Sequence, residues 1–380
     1  MQLVLTEDQE LLAKTAADFA AEHSPVSRVR ALRDADDADG FSRKLWRQMA
    51  ELGWVGIPFP EEFGGADMGL SGLSVVLEAL GRTLAPEPFL STVLLGGQAL
   101  LLGGSEGQKS EWLPKLVEGE RLLTLAYQER RSRYDLRCVA TRAERDGSGW
   151  RLRGEKIQVL DGTCADGIVV VARTSGEERA ADGITLFALR RDAPGLRLER
   201  QHRVDSRNTA LVFLDGVAVG AEDVVGAEGR GGDLLERVVD RATVGICAEM
   251  LGSMSEAFER TLGYLKQREQ FGVPIGSFQA LKHRAAQQFI EIELCRSAVM
   301  AAARAVDDGV EDAARLVSLA KARCSDAAIL VADESIQMHG GIGMTDEHEI
   351  GFYLKRARVA ELTFGDAAYH RDRWARLGGY

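Results

Sequence analysis

No stretch of this 380-residue sequence stays apolar for long enough to span a bilayer. The longest mostly apolar run, Phe89 to Leu102, is broken by Gly96, Gly97 and Gln98 and reads as a buried helix. The stretch from Met1 to Asp8 has no cationic segment ahead of an apolar one, so no secretory leader is expected there. Cysteine is sparse. Cys138, Cys164, Cys247, Cys295 and Cys324 lie far apart without the paired spacing of a ligand set, which fits buried thiols in a reducing cytoplasm and no metal. An excess of positive charge is also missing: the formal net charge is −11, which argues against a nucleic-acid partner. The one Arg-rich patch, Arg130 to Arg137, is short, contains Asp135 and reads as solvated surface. Internal repeats, low-complexity tracts and a Ser-His-Asp grouping are absent.

What is present suits a large core. Apolar residues make up 45% of the chain, and a single core stops growing at about 250 to 300 residues, so two or three cooperating domains are expected. Thr6 with Gln9 reads as a helix N-cap, followed by Leu11, Leu12, Ala16 and Phe19 at helical spacing. Further helices are expected over Ser42 to Leu52, Ser71 to Leu84 and Ser110 to Val117. Near Arg121 the period changes to that of strands, over Leu123 to Tyr127, Arg137 to Ala143, Trp150 to Leu160, Gly167 to Arg173, Ile184 to Leu189 and Ala210 to Leu214. Asp146-Gly147-Ser148-Gly149 reads as a hairpin loop between two of them. From about Gly232 the pattern is helical to the end, with Val244, Cys247, Leu251, Met254, Phe258, Leu262 and Leu265 forming one stripe. Two more long helices, Phe278 to Asp308 and Glu311 to Met338, complete an antiparallel bundle. The expected organisation is an N-terminal α-helical domain (1–120), a middle β domain (121–231) and a C-terminal helical bundle (232–380).

Two motifs of the last third suggest chemistry. Arg268-Glu269-Gln270-Phe271-Gly272 offers a planar, permanently charged guanidinium able to give two parallel hydrogen bonds to a phosphate. An Arg neutralising helix-end carbonyls is the plain alternative. Gln337-Met338-His339-Gly340-Gly341-Ile342-Gly343 follows a predicted helix, and its glycines let backbone approach a bulky anion, although a helix C-cap would also explain a single one. Together with Gly53-Trp54-Val55-Gly56-Ile57-Pro58, Pro60-Glu61-Glu62-Phe63-Gly64-Gly65 and Gly107-Gln108-Lys109 before Trp112-Leu113-Pro114-Lys115-Leu116, these motifs run in order over the whole chain. In that order the sequence resembles the acyl-CoA dehydrogenases. The resemblance implies an α+β fold with an N-terminal helical domain, a middle β-barrel and a C-terminal four-helix bundle. It also implies FAD, with Arg268, Gln270, Phe271, Gln279, Gln337, Gly340 and Gly341 reaching the ADP half of a flavin held mainly by a neighbouring β domain.

The same resemblance exposes what this chain has lost. The family's glutamate base falls on Phe364, in Leu362-Thr363-Phe364-Gly365-Asp366, and its alternative location falls on Ala242. Leu125 to Asp135, where the family has a Gly- and Ser-containing flavin loop, contains no glycine, and Gln158 and Leu160 replace the usual Trp and Thr. Asp366, Asp240 and Glu361 are the nearby acids that could act as a displaced base. His339, His348 and His370 read as surface or helix-end residues. The resemblance is greatest to the subunit without catalytic glutamate of actinobacterial α2β2 enzymes. That implies a paralogous partner subunit, an acyl-CoA thioester substrate with a steroid side chain as one expectation, and an electron-transfer flavoprotein as acceptor. An active homotetramer with a displaced acid, a flavin-free scaffold and an oxygen-using monooxygenase remain as alternatives.

Overall fold

The computed structural model describes residues 4–380, so the part of the leader reading that rests on residues 1–3 lies outside the described residues. In chain order, the helices α1 (Glu7–His23), α2 (Val26–Asp34), α3 (Arg43–Glu51), α4 (Gly69–Arg82), α5 (Gln98–Gly103) and α6 (Glu106–Val117) come first. The strands β1 (Leu123–Ala126), β2 (Arg142–Asp146), β3 (Gly149–Leu160), β4 (Gly167–Arg173), β5 (Ile184–Arg190), β6 (Leu196–Gln201), β7 (Thr209–Val219) and β8 (Val224–Val225) follow. Then come α7 (Gly231–Gln267), the short strands β9 (Glu269–Gln270) and β10 (Val273–Pro274), α8 (Gln279–Asp307), α9 (Ala313–His339), α10 (Ile350–Leu362) and α11 (Ala367–Leu377). No described helix is long and apolar enough to cross a membrane. Phe89–Gly97, expected as buried helix, is a wholly buried π-helical segment leading into α5.

The chain divides into two compact units. One is helical and holds the chain up to Asp34, Leu70–Ala85 and Thr243–Tyr380; the other holds Ala35–Gly69 and Pro86–Ala242, including the whole eight-stranded sheet.

Within the helical unit, α1 starts where the sequence places it, because Thr6 Oγ1 accepts the Gln9 N–H at 3.2 Å and Gln9 Oε1 accepts the Thr6 N–H at 3.1 Å. The stripe of α7 is buried from Val244 to Leu265, apart from half-buried Leu262. Close backbone contact fixes α7 against α4: a Cβ on Gly252 would lie 1.8 Å from the Glu78 carbonyl oxygen, and one on Gly81 would lie 2.2 Å from that of Glu249. Asp307 caps α4 from outside, accepting the N–H groups of Leu70 and Ser71 at 2.7 and 2.8 Å. The long helix α9 packs against α8, α10 and α11. α2, not expected from the sequence, has Val26 as its only fully buried residue, so no apolar stripe announces it.

Within the sheet unit the strand order is β6-β7-β3-β2-β4-β5-β8, with β1 added parallel to β4. Among the described residues β6 and β8 do not pair. Every residue of β4 is buried, as a central strand with an uninterrupted apolar run should be. Trp150, Leu152, Val159, Phe187, Val212 and Val217 form part of its core. The hairpin at Asp146 to Gly149 forms as expected, with Asp146 opposite Gly149. The strand expected from Arg137 begins instead at Arg142, because its first backbone groups are already engaged. Arg173, 1% exposed, donates to the carbonyls of Arg137 and Val139, while Glu129 accepts the N–H groups of Ala140 and Thr141. β6 escaped notice because its charged, half-exposed alternation is that of an edge.

Candidate active site

The end of α7 turns straight into the Arg268 motif. Arg268 N–H donates to the Tyr264 carbonyl at 2.8 Å, and the Arg268 carbonyl accepts the Ile275 N–H at 2.8 Å, closing a hairpin in which Gln270 pairs with Val273. The two residues at its tip, Phe271 and Gly272, have φ of 58° and 77°, as a primed two-residue turn requires. A phenylalanine in that region is strained, and here its ring is also 93% exposed. Strain together with an unburied aromatic gives the isolated chain nothing in return, which marks a surface built for something outside it. The ring's neighbour is Phe278, edge-on at 6.1 Å, immediately before Gln279 at the first turn of α8. Arg268, Gln270 and Gln279 are all exposed, and among the described residues the Arg268 side chain has no hydrogen bond or ion pair.

The second motif ends α9. Gln337 is exposed and its carbonyl accepts the Gly340 N–H, so Gly340 does serve as a C-cap, with φ 63° and ψ −140°. That conformation is open essentially to glycine alone. A Cβ on Gly340 or Gly341 would meet nothing within 4 Å, so both leave backbone facing open space that a bulky ligand could approach. Gly343 differs: its Cβ would lie 2.7 Å from the Ile336 carbonyl, so its role is packing under α9 and not ligand approach. Tyr264 of α7 stacks on His339 of α9 at 4.6 Å, which brings the Arg268 hairpin and the Gly340 turn to the same end of the helical unit. These donors and open glycines fit the diphosphate half of FAD.

The turn at Phe364, where the family resemblance leads the sequence reading to expect a base, is held by several hydrogen bonds. Phe364, between α10 and α11, is buried at 8% exposure with φ 62°. Its carbonyl lies 3.0 Å from His370 Nε2, and Lys321 Nζ donates to the carbonyls of Glu361 and Gly365 at 2.8 and 2.6 Å and to Ser325 Oγ at 2.9 Å. Burial pushes Lys321 down to about 8. Asp366 is the N-cap of α11, its carboxylate accepting the Tyr369 N–H at 2.8 Å, and Glu361 lies 3.6 Å from Arg358. Ala242 is fully buried, and Asp240, half-buried on α7, has interactions of its own. His339 is the last residue of α9, in keeping with the helix-end reading, but neither it nor His370 is a surface residue, each being only 2% exposed.

His370 makes the turn sensitive to acid. Burial, then the Lys321 charge, pushes its imidazole from about 6.5 down to about 3, and its Nδ1 has no partner among the described residues. A folded value below the unfolded one means that its contribution is complete above about pH 6.5 and is lost as the pH falls toward 3. The loss is on the order of 4 kcal/mol across that window. Urea midpoints measured from neutral pH down to about pH 4 should therefore fall less steeply in His370→Gln than in the wild type; equal slopes would exclude this origin.

In the sheet unit, the loop from Gln128 to Asp135 is fixed from within. Glu129 Oε1 accepts Lys156 Nζ at 2.6 Å and Thr141 Oγ1 at 2.7 Å, with Lys156 wholly buried. Burial pushes the Glu129 carboxyl up, but the Lys156 charge and its hydrogen bonds outweigh this and hold it below the usual range. Gln158, at the position expected of a Trp, sits at an irregularity in the β3–β7 register with φ 52°, its N–H held by Gln201 Oε1 at 2.8 Å. Among the described residues no group of His, Cys, Asp and Glu could hold a metal, and all five thiols are free and buried.

Comparison with known proteins agrees over the full length. Residues 6–120, 124–217 and 229–378 match, respectively, the N-terminal, middle and C-terminal domains of acyl-CoA dehydrogenase. Mitochondrial isovaleryl-CoA dehydrogenase of Pongo abelii is 30% identical over 380 residues, covering 97% of this chain and 88% of its own. Among solved structures, a variant of the Tcur3481-Tcur3483 steroid ACAD is 32% identical with a TM-score of 0.87, covering 98% of each chain. The ChsE4-ChsE5 complex of Mycobacterium tuberculosis is 28% identical with a TM-score of 0.90, covering 100% of this chain and 99% of that one. With three domains matched in order and the expected helical, sheet and helical elements in place, the chain belongs to the acyl-CoA dehydrogenase family, FAD-dependent oxidoreductases acting on CH–CH bonds.

Proposed function

We propose that this chain is the subunit without a base of a heteromeric acyl-CoA dehydrogenase. In this reading Arg268, Gln270, Phe271, Gln279, Gln337, Gly340 and Gly341 hold the ADP half of FAD, and a paralogous subunit supplies the flavin-cradling β domain and the glutamate. The observation that carries it is the contrast within one unit: an exposed, strained hairpin and an open glycine turn are retained, while Phe364 stands at the base position. When bound, FAD accepts the hydride that leaves Cβ of the thioester. Loss of the Cα proton needs a positioned acceptor, worth roughly 10²- to 10⁴-fold, or about 3 to 5 kcal/mol of barrier. Neither Phe364 nor Ala242 can accept a proton. Asp366 is committed to its cap, two residues past that position, where about 1 Å of misplacement is already costly.

The similarity to a steroid ACAD and to the ChsE4-ChsE5 complex supports steroid thioesters as substrates and a second protein as partner. Bulky side-chain thioesters, a paralogue as that partner and an electron-transfer flavoprotein as acceptor are what the family resemblance implies. The test is native mass spectrometry of the chain alone and co-expressed with an acyl-CoA dehydrogenase paralogue encoded beside it. An inactive single chain and an active complex with two FAD per four chains are expected. A fully active homotetramer with four flavins would replace this reading with the displaced-acid one, which Asp366→Asn kinetics would then examine. A colourless complex would point to a scaffold.

A further inference from the structure

The Arg268 hairpin and the Gly340 turn belong to different helices, and three rings lie between them. Tyr264 of α7 stacks on His339 of α9 with centroids 4.6 Å apart and planes 29° apart, and His339 lies 4.6 Å from His348 in the segment that leaves the glycine turn. The two imidazoles are held by backbone groups, and Tyr264 is joined to the Arg268 hairpin through its carbonyl. The Tyr264 carbonyl accepts the Arg268 N–H, His339 Nδ1 lies 2.7 Å from the Ser335 carbonyl as its donor, and His348 Nδ1 accepts the Ile350 N–H at 3.2 Å. The segment beyond the turn is pinned as well. Arg260 of α7 donates to Glu349 at 2.8 Å, and Arg30 and Arg33 of α2 donate to Asp346 at 2.9 and 2.7 Å.

We propose that the Tyr264–His339–His348 column is a positioning device that sets the spacing of the two nucleotide-binding segments, and that its imidazoles make FAD retention sensitive to acid. The inference rests on the assignment of those segments to the ADP half of FAD. Stacked neutral rings attract, whereas two imidazoliums in contact repel. The groups that face the column are, from α7, Tyr264 and Arg260, the latter paired with Glu256; from α9, the Ser335 carbonyl; and from the segment beyond the turn, Glu349. From α8, neutral Gln288 reaches Met338, and Arg284 is paired with Glu334; from α10, Tyr353 lies under Arg260. No unpaired carboxylate in this set can neutralise a second imidazolium. Burial lowers both imidazoles; for His339 the hydrogen bond to the Ser335 carbonyl opposes this and His348 adds to it, and for His348 Arg260 adds to it while Glu349 opposes, the net direction being down for both. The column is therefore intact at and above the ordinary imidazole value of about 6.5 and weakens only as the pH falls below it, through the lowered values of the two rings.

The experiment follows flavin release by fluorescence from the FAD-loaded complex with its paralogue, between about pH 7.5 and 5. Release from the wild type should quicken about tenfold toward acid, while His339→Phe combined with His348→Phe, which keeps rings and removes charge, should release FAD at a rate independent of pH. His339→Ala should hold FAD about three- to tenfold more weakly at every pH, the scale of one lost ring pair. His348→Gln, at a half-buried site, serves should the double variant fail to fold, and should flatten part of the profile. A variant profile that superimposes on the wild type, or an alanine variant that binds as tightly, overturns the column. A complex that carries flavin but does not lose it on Arg268→Ala overturns the underlying assignment instead.

Discussion

Replacement of Lys156 by methionine is expected to destabilise the protein by about 3 to 5 kcal/mol, because it leaves the Glu129 carboxylate buried without its counter-ion. Lys156 is 0% exposed and Glu129 is 7% exposed, so water cannot take over the lost partner. The pair does more than cancel charge. Glu129 also receives the N–H groups of Ala140 and Thr141 and the Thr141 hydroxyl, so its carboxylate ties the 128–135 loop to the start of β2. A companion variant, Lys156→Met with Glu129→Gln, removes both charges and should recover part of the loss, since the amide oxygen can still accept from Thr141 while the Ala140 N–H loses its acceptor. Urea unfolding of the two variants measures this directly. A single variant within about 1 kcal/mol of the wild type would mean that the pair is not the anchor of that loop.

The second large effect concerns the cofactor. In the co-expressed complex, Arg268→Ala should weaken FAD retention by about 10- to 100-fold, the scale of charge-assisted hydrogen bonds to a phosphate lost together. Arg268→Lys should recover only part of it, because an ammonium keeps the charge but not the planar pair of donors. Neither change should shift the unfolding midpoint appreciably, since the side chain is exposed and outside the core. Flavin content and melting temperature, measured on the same preparations, separate these effects. Unchanged flavin in Arg268→Ala would place the diphosphate elsewhere; a large fall in melting temperature would return the residue to the role of a helix-end cation.

Much of the scaffold is legible in the sequence, for reasons that are local. The Thr6 and Gln9 cap, the Asp146 to Gly149 hairpin, the apolar run Ile168 to Ala172 of β4 and the α7 stripe each depend on residues close together in sequence. Elements without such local marks were missed or misplaced. α2 buries only Val26, β6 is a charged edge, and the start of β2 moved because Arg173 and Glu129, remote in sequence, take the backbone groups of residues 137–141. The glycines of the second motif look equivalent in sequence, yet Gly340 and Gly341 face open space while Gly343 packs on the Ile336 carbonyl.

The sequence by itself determined the family, the order of helices and strands, and the absence of a carboxylate at position 364, because periodicity, caps and residue chemistry are written residue by residue. Only the tertiary structure decided that His339 and His370 are buried, that Asp366 is spent on capping α11, and that two separate motifs meet at one end of the helical unit. Those facts depend on which distant helix ends pack against one another, and no local pattern encodes that.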